Sequence, residues 1–243
     1  MSSLLVKINH KNNFFELGQF ISVFDLEQLV VFRCNYNAHY YQRNLFNMVK
    51  IRFPSSLRNS VNKRQAEYLA GRYAAKQALT KLGIANYDIA IGKHRSPMWP
   101  EHIVATITHT SASALCAAAN KRDFDYLGID LEYWLPSNTI KEIEHSIINN
   151  KEHELLQLNS MGFAKAFTLL FSAKESLFKA LYPKVGYYFD FSAAEITEIS
   201  LEQKTFKLIL RQDLSPCLTS GTCFRGIFDI DFDSVLTLII SPT

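Results

Sequence analysis

The chain has 243 residues, 48% of them hydrophobic and 20% charged, with a formal net charge of +3 at pH 7. That length can bury a substantial core, as one domain or as two halves of ordinary size, and the balance reads as soluble and globular. So mild a charge leaves no electrostatic footprint for nucleic acid, although it does not oppose an acidic protein partner. The opening MSSLLVKINHKNNFF has no long apolar core or small-residue cleavage site, and no later run approaches transmembrane length. A cytoplasmic protein without a stable membrane anchor is therefore expected. Cys34, Cys116, Cys217 and Cys223 show neither CxxC nor paired Cys/His ligand spacing, which favours reduced thiols over zinc or a disulfide framework.

Residues 1–57 mix short β-prone runs, Phe20–Phe24 and Val49–Phe53, with polar loops and hold no chemical motif. From Asn62 to Leu82 the pattern is helical, with Gly83 as a stop and with Arg64 and Arg72 on one side. Gly71 lies inside that helix, where glycine costs roughly 1 kcal/mol against alanine, so a close packing or ligand contact is expected there, with packing the first choice on physical grounds. A turn-prone stretch containing Arg95, Pro97 and Pro100 follows, and then Ile103–His109, Leu115–Ala119 and Tyr126–Glu132 read as strands. The polar stretch Pro136-Ser-Asn-Thr reads as a connector, which divides the chain into an N-terminal half, 1–133, and a C-terminal half, 134–243. Thr139–Leu158 reads as helix with a loop inside it.

Phe163–Leu181 reads as a helix whose apolar stripe runs through Phe167, Leu170, Phe171, Phe178 and Leu181. Lys174 falls within that stripe, so an internal charge partner is expected for it, while Glu175 and Lys179 fall on the edge. Beyond Pro183, the runs Ile196–Leu201, Phe206–Leu210 and Val235–Ile240 suggest an antiparallel sheet. Strands with a few helices, without regular βαβα alternation, indicate an α+β fold.

Two stretches carry the chemistry. In Gly128-Ile-Asp130-Leu-Glu132, read as a strand, side chains two apart share a face, so Asp130 and Glu132 project together. In Phe171-Ser-Ala-Lys174-Glu175-Ser-Leu-Phe178-Lys179-Ala, read as a helix, Glu175 and Lys179 sit one turn apart. Mg2+ takes hard oxygen ligands, usually one or two carboxylates plus substrate phosphates, so three acids beside a lysine suggest Mg2+ with phosphate. Taken singly, each motif reads equally as a wet strand edge or an exposed helical ion pair. Asp229-x-Asp231-x-Asp233 opens like a calcium loop but lacks its glycine and its closing glutamate, and reads as a solvent-facing strand end. No Walker loop, GxGxxG fingerprint or GxSxG elbow is present, which argues against the common ATPases, dinucleotide enzymes and serine hydrolases.

The strings GIDLE and FSAKESLFKA closely resemble the two signature motifs of the 4′-phosphopantetheinyl transferases, of the Sfp-like class and within it the enterobactin synthase component D type. Lys63-Arg64-x-x-Glu67-x-Leu69-Ala70-Gly71-Arg72-x-Ala74-Ala75, Pro97-x-Trp99-Pro100 and Thr106-Ile107-Thr108-His109 match in the family's order, so the resemblance runs from about Arg58 to about Pro183. It implies a pseudo-dimer of two similar α+β halves with coenzyme A bound between them. The implied reaction moves the 4′-phosphopantetheine group from coenzyme A to a serine of an apo carrier protein and releases adenosine 3′,5′-bisphosphate. The implied setting is siderophore or other nonribosomal peptide synthesis, by a monomer that has Mg2+ as cofactor and a peptidyl, aryl or acyl carrier domain as partner.

By motif position, Asp130, Glu132 and Glu175 would hold Mg2+, Glu175 would also serve as base, and Lys179 would stabilise or protonate the leaving group. Thr108, His109, Arg64, Arg72, Arg95, Lys174 and Lys179 would contact coenzyme A. The segment WPEHIVATITH departs from the family's glycine-containing pattern, with Glu101 and Ala105 at flexible glycine positions. Two other classes share these residues: a noncatalytic protein that binds coenzyme A or a carrier, and a metal-dependent phosphohydrolase that directs the same acids at water.

Overall fold

A computed structural model describes residues 13–23 and 26–242. The chain divides into two compact units, one ending at Asp125 and the other spanning Tyr126–Pro242. The sequence reading places its boundary at 133/134 instead, after the strand that carries Asp130 and Glu132.

The first unit contains β1 (Phe15–Ile21), β2 (Val30–Tyr36), the short helix α1 (Leu45–Met48), the long helix α2 (Asn62–Lys81), β3 (Ile103–His109) and β4 (Ser113–Asn120). The sheet order is β1-β2-β4-β3 and every pairing is antiparallel. α2 packs on this sheet through small side chains, Ala66, Ala70, Ala74 and Ala78, together with Leu69 and Leu79. Small residues let the helix backbone come close. A Cβ at Gly71 would lie 3.0 Å from the Ile107 side chain, so packing accounts for a glycine in mid-helix. Gly83, in the left-handed region at φ 85°, follows the C-cap Leu82.

The second unit contains the greater part of β5 (Phe124–Tyr133), then α3 (Ser137–Ile147), α4 (Asn150–Gln157), α5 (Phe163–Val185), β6 (Ala194–Ser200), β7 (Thr205–Leu210), β8 (Cys223–Ile230) and β9 (Ser234–Pro242). Its sheet order is β5-β9-β8-β7-β6. The β6–β7, β7–β8 and β8–β9 pairings are antiparallel. α5 lies against β9, and the core gathers Phe167, Leu170, Leu177, Leu181, Phe206, Phe228 and Ile239.

Several expectations change on contact with the structure. Val49–Phe53 forms no strand, because the chain there follows α1 into irregular turns. Of the run Phe20–Phe24, only Phe20 and Ile21 are strand, and Phe24 lies outside the described residues. Pro136-Ser-Asn-Thr is the start of α3, with Pro136 as its N-cap, and not a connector. α5 runs past Pro183 and ends instead at Gly186, whose left-handed backbone (φ 74°) lets its N–H donate to the Tyr182 carbonyl at 2.8 Å. Among the described residues no helix is long and apolar enough to cross a membrane.

Candidate active site

β5 and α5 meet over a glycine. A Cβ at Gly128 would lie 1.9 Å from the Ser176 carbonyl oxygen and 2.7 Å from the Ala180 backbone nitrogen. Only hydrogen at that position allows strand and helix backbones to touch. Two residues further along β5, Asp130 is 2% exposed and fixed at both oxygens. Lys179 Nζ donates to Oδ1 at 2.6 Å, and Ser172 Oγ donates to Oδ2 at 2.8 Å.

Glu132 and Glu175 join the same electrostatic neighbourhood, each half-buried. Burial, then repulsion from Asp130, pushes the Glu132 carboxyl up to about 8; Lys179 opposes that rise and Glu175 adds to it. Burial likewise raises Glu175, with Lys179 lowering it and Asp130 raising it. Glu175 also lines a small cavity of about 70 Å³ with Phe178, Tyr188 and Phe191. The four residues Asp130, Glu132, Glu175 and Lys179 are thus brought together by one strand and one helix turn.

Burial of like charges in one place is costly unless a cation compensates. Among the described residues no three His, Cys, Asp or Glu side chains form a ready-made metal cage, and Lys179 holds the Asp130 carboxylate. The donor chemistry nevertheless fits Mg2+, which needs only one or two protein carboxylates and completes its shell with water and substrate phosphate. The raised proton affinity of Glu132 and Glu175 comes first from burial, with neighbouring acid charge adding to it.

A pH prediction follows from Glu132. Between its ordinary value of 4.5 and about 8, the native side chain keeps a proton that the unfolded chain has released, so stability falls as pH rises through that window. Thermal melts of the metal-free protein are expected to show a declining midpoint over this range, and Glu132→Gln is expected to flatten the decline. An unchanged slope in that variant would refute the assignment.

Lys174 is not brought to this cluster. Its ammonium, on a side chain 3% exposed, pairs with Glu152 Oε1 at 2.8 Å and donates to the Ile147 carbonyl at 2.7 Å and the Phe191 carbonyl at 3.1 Å. Burial pushes its pKa down, and the Glu152 charge and hydrogen bond hold it up. Glu152 is the internal acid that the helix pattern calls for. Its Oε1 also accepts from the Ile196 N–H at 2.8 Å, and its Oε2 closes a capping box with Asn149 at the start of α4.

The basic candidates belong to the first unit. Arg64, in the first turns of α2, stands 3.4 Å from His109 Nε2 and 3.5 Å from Glu67. Arginine only donates, so His109 Nε2 is the acceptor in that contact. His109 ends β3 beside buried Thr108, and the hairpin after it is pinned by Tyr36, whose hydroxyl donates to the Thr110 carbonyl at 2.7 Å. Arg72 is buried, bonded to the Tyr68 hydroxyl at 3.2 Å with its guanidinium 4.8 Å over that ring. It lines a cavity of about 300 Å³ together with Lys50, Arg52, Lys76 and Tyr87. Arg95 is exposed on a 3-10 turn, Lys93–Arg95, apart from that cavity's lining. Ala105 is buried within β3, and Glu101 is exposed in the turn before it.

Sequence reasoning missed Ser172 and Thr237 behind Asp130, and Glu152 as the partner of Lys174. Glu152 was findable from its place three residues after Asn149, a capping-box spacing. Thr237 gives no signal within an apolar strand.

Comparison with known proteins identifies the family. The 4′-phosphopantetheinyl transferase N-terminal domain matches residues 53–119, and the 4′-phosphopantetheinyl transferase superfamily matches residues 126–222. Enterobactin synthase component D of Salmonella typhimurium is 35% identical over 77% of this chain and 76% of its own length. The Salmonella typhi protein of that name is 37% identical over 63% of each chain. The 4′-phosphopantetheinyl transferase Npt of Nocardia iowensis is 33% identical over 57% of this chain and 61% of its own. The match thus spans less than two thirds of those last two relatives. Because both signature stretches fall inside the matched residues and the Salmonella typhimurium relative is covered over three quarters of its length, the chain belongs to the 4′-phosphopantetheinyl transferase superfamily, with its similarity running to the enterobactin synthase component D type.

Proposed function

We propose that the protein transfers the 4′-phosphopantetheine group from coenzyme A to a serine of an apo carrier domain, releasing adenosine 3′,5′-bisphosphate, in siderophore or other nonribosomal peptide synthesis. The observation that carries this reading is the grouping of Asp130, Glu132 and Glu175 around Lys179, with Glu132 and Glu175 both holding protons more tightly than ordinary carboxyls. On this reading Asp130, Glu132 and Glu175 would hold Mg2+, and the ion would supply Lewis-acid neutralisation of pyrophosphate charge.

The chain's own residues supply the rest. Glu175 takes the proton of the serine hydroxyl as its oxygen bonds to phosphorus, and burial, which raises its affinity for a proton, suits it to the role of general base. Lys179, its side chain 24% exposed, donates to the phosphate oxygen that departs with the nucleotide. Arg64, Arg72, Thr108 and His109 are the nucleotide-side contacts, where a planar guanidinium suits phosphate oxygens. A cytoplasmic monomer is the proposed working form.

The test is incubation with coenzyme A, Mg2+ and a panel of apo peptidyl, aryl and acyl carrier domains, read by mass spectrometry. A carrier that gains one phosphopantetheine arm supports the proposal. Coenzyme A cleaved without transfer would point to a phosphohydrolase, and no reaction at all to a binding protein. Asp130→Ala is expected to raise the Mg2+ concentration needed for half-maximal transfer by at least about tenfold. An unchanged Mg2+ titration would remove Asp130 from the metal site.

A further inference from the structure

Behind Asp130 lies a chain of hydroxyls inside the core. Ser172, Ser176 and Thr237 are each 0% exposed. Ser172 Oγ donates to Asp130 Oδ2 at 2.8 Å and lies 2.8 Å from Thr237 Oγ1; Ser176 Oγ lies 2.7 Å from Thr237 Oγ1 and 3.1 Å from the Thr237 carbonyl. Ser172 and Ser176 stand one turn apart on α5, and Thr237 sits on β9, the strand beside β5. Three hydroxyls buried between a helix and a sheet are expensive in an apolar core unless every one is bonded.

The direction of the protons can be worked out from what each group is able to do. A carboxylate only accepts, whereas a hydroxyl donates once and accepts twice. Ser172 gives its proton to Asp130, so it must accept from Thr237. Thr237, having donated to Ser172, can only accept at its contact with Ser176, whose single proton also has the Thr237 carbonyl as acceptor. Two O–H dipoles, Thr237 to Ser172, therefore point the same way and end on Asp130 Oδ2. Aligned in this way they polarise one another and hold the Asp130 carboxylate in one orientation. With Oδ2 held from behind, Asp130 keeps Oδ1 turned to Lys179.

We infer that Thr237 is a positioning residue for the metal site, the central link of a hydroxyl relay that fixes Asp130 as an oriented ligand. This rests on the functional reading above, since it assigns Asp130 to the ion. Thr237 lies beyond the matched family region, which ends at residue 222. Its role comes from the contact of β9 with α5. Groups that orient a metal ligand from behind typically contribute a factor of 10–100 in metal affinity.

The experiment measures Mn2+ binding by electron paramagnetic resonance, in the presence of coenzyme A, on the full chain and three variants. Thr237→Val preserves the side chain's shape and removes the link, and is expected to weaken Mn2+ binding about tenfold. Thr237→Ser keeps the hydroxyl and is expected to restore binding to within about twofold, a rescue that packing alone would not give. Ser172→Ala, which cuts the last link, is expected to match Thr237→Val and provides the reading if the valine variant does not fold. Unaltered Mn2+ affinity in Thr237→Val or Ser172→Ala would overturn the relay while leaving the transferase reading intact. An unaltered protein that binds no Mn2+ would overturn both.

Discussion

Glu175→Gln is expected to abolish transfer almost completely, lowering kcat/KM by about 10³-fold, while the fold is retained. Glutamine fills the same volume on α5 and keeps a polar end toward the small cavity beside Phe178 and Tyr188. It cannot accept the serine proton, and its neutral amide is a poor partner for a divalent ion. Burial already disfavours the charged form of Glu175, so its removal carries no stability penalty and the melting temperature should hold or rise. A second readout is built in. Glu175 is one of the charges that raise Glu132, so Glu132 should titrate lower in the variant. Wild-type turnover in Glu175→Gln would remove that residue from the chemistry, and a collapsed melting temperature would move its role to structure.

The other large effect belongs to Gly128→Ala. Its new methyl would overlap the Ser176 carbonyl, 1.9 Å away, and the Ala180 nitrogen, 2.7 Å away, both of them helix backbone that cannot rotate aside. α5 must withdraw from β5, at a cost of about 3 kcal/mol or more. The same movement would part Lys179 from Asp130 and Ser172 from Asp130, so stability and activity are expected to fall together. Gly71→Ala serves as the control. There the new methyl meets a single side-chain methyl, Ile107 Cγ2 at 3.0 Å, and no backbone, so the effect should be the smaller of the two. Urea unfolding of both variants followed by circular dichroism checks the contrast, and equal midpoints for Gly128→Ala and the parent chain would refute it.

Much of this arrangement was legible in the sequence, for reasons that differ by element. Alternation and helical periodicity located β3, β5, α2 and α5, because their buried faces are long and regular. β2 and β8 escaped notice, since Arg33, Asn35, Arg225 and Asp229 break their apolar character while backbone pairing still holds them in place. The grouping of Asp130 with Lys179 could be guessed from the motifs, but its cause could not. The contact depends on Gly128 meeting the backbone of Ser176, a coincidence of tertiary packing. Lys174 divides in the same way. Its place in the apolar stripe called for an acid, and only the fold of α4 against α5 identifies Glu152 as that acid. The hydroxyl relay was hidden because serine and threonine inside apolar runs resemble ordinary core substitutes for alanine and valine.

The inward turn of Lys174 also bears on which cation the site prefers. Were that ammonium to face Asp130, Glu132 and Glu175 beside Lys179, the ionised patch would be nearly balanced and would gain little from any added ion. Neutralised instead by Glu152, Lys174 leaves the three acids with a single opposing lysine and an excess of two negative charges when all are ionised. A monovalent ion would leave such a patch half compensated, and a trivalent one would overshoot. On the proposed metal-binding reading, preference by valence would therefore be set in part by residue 152, which need never touch the ion.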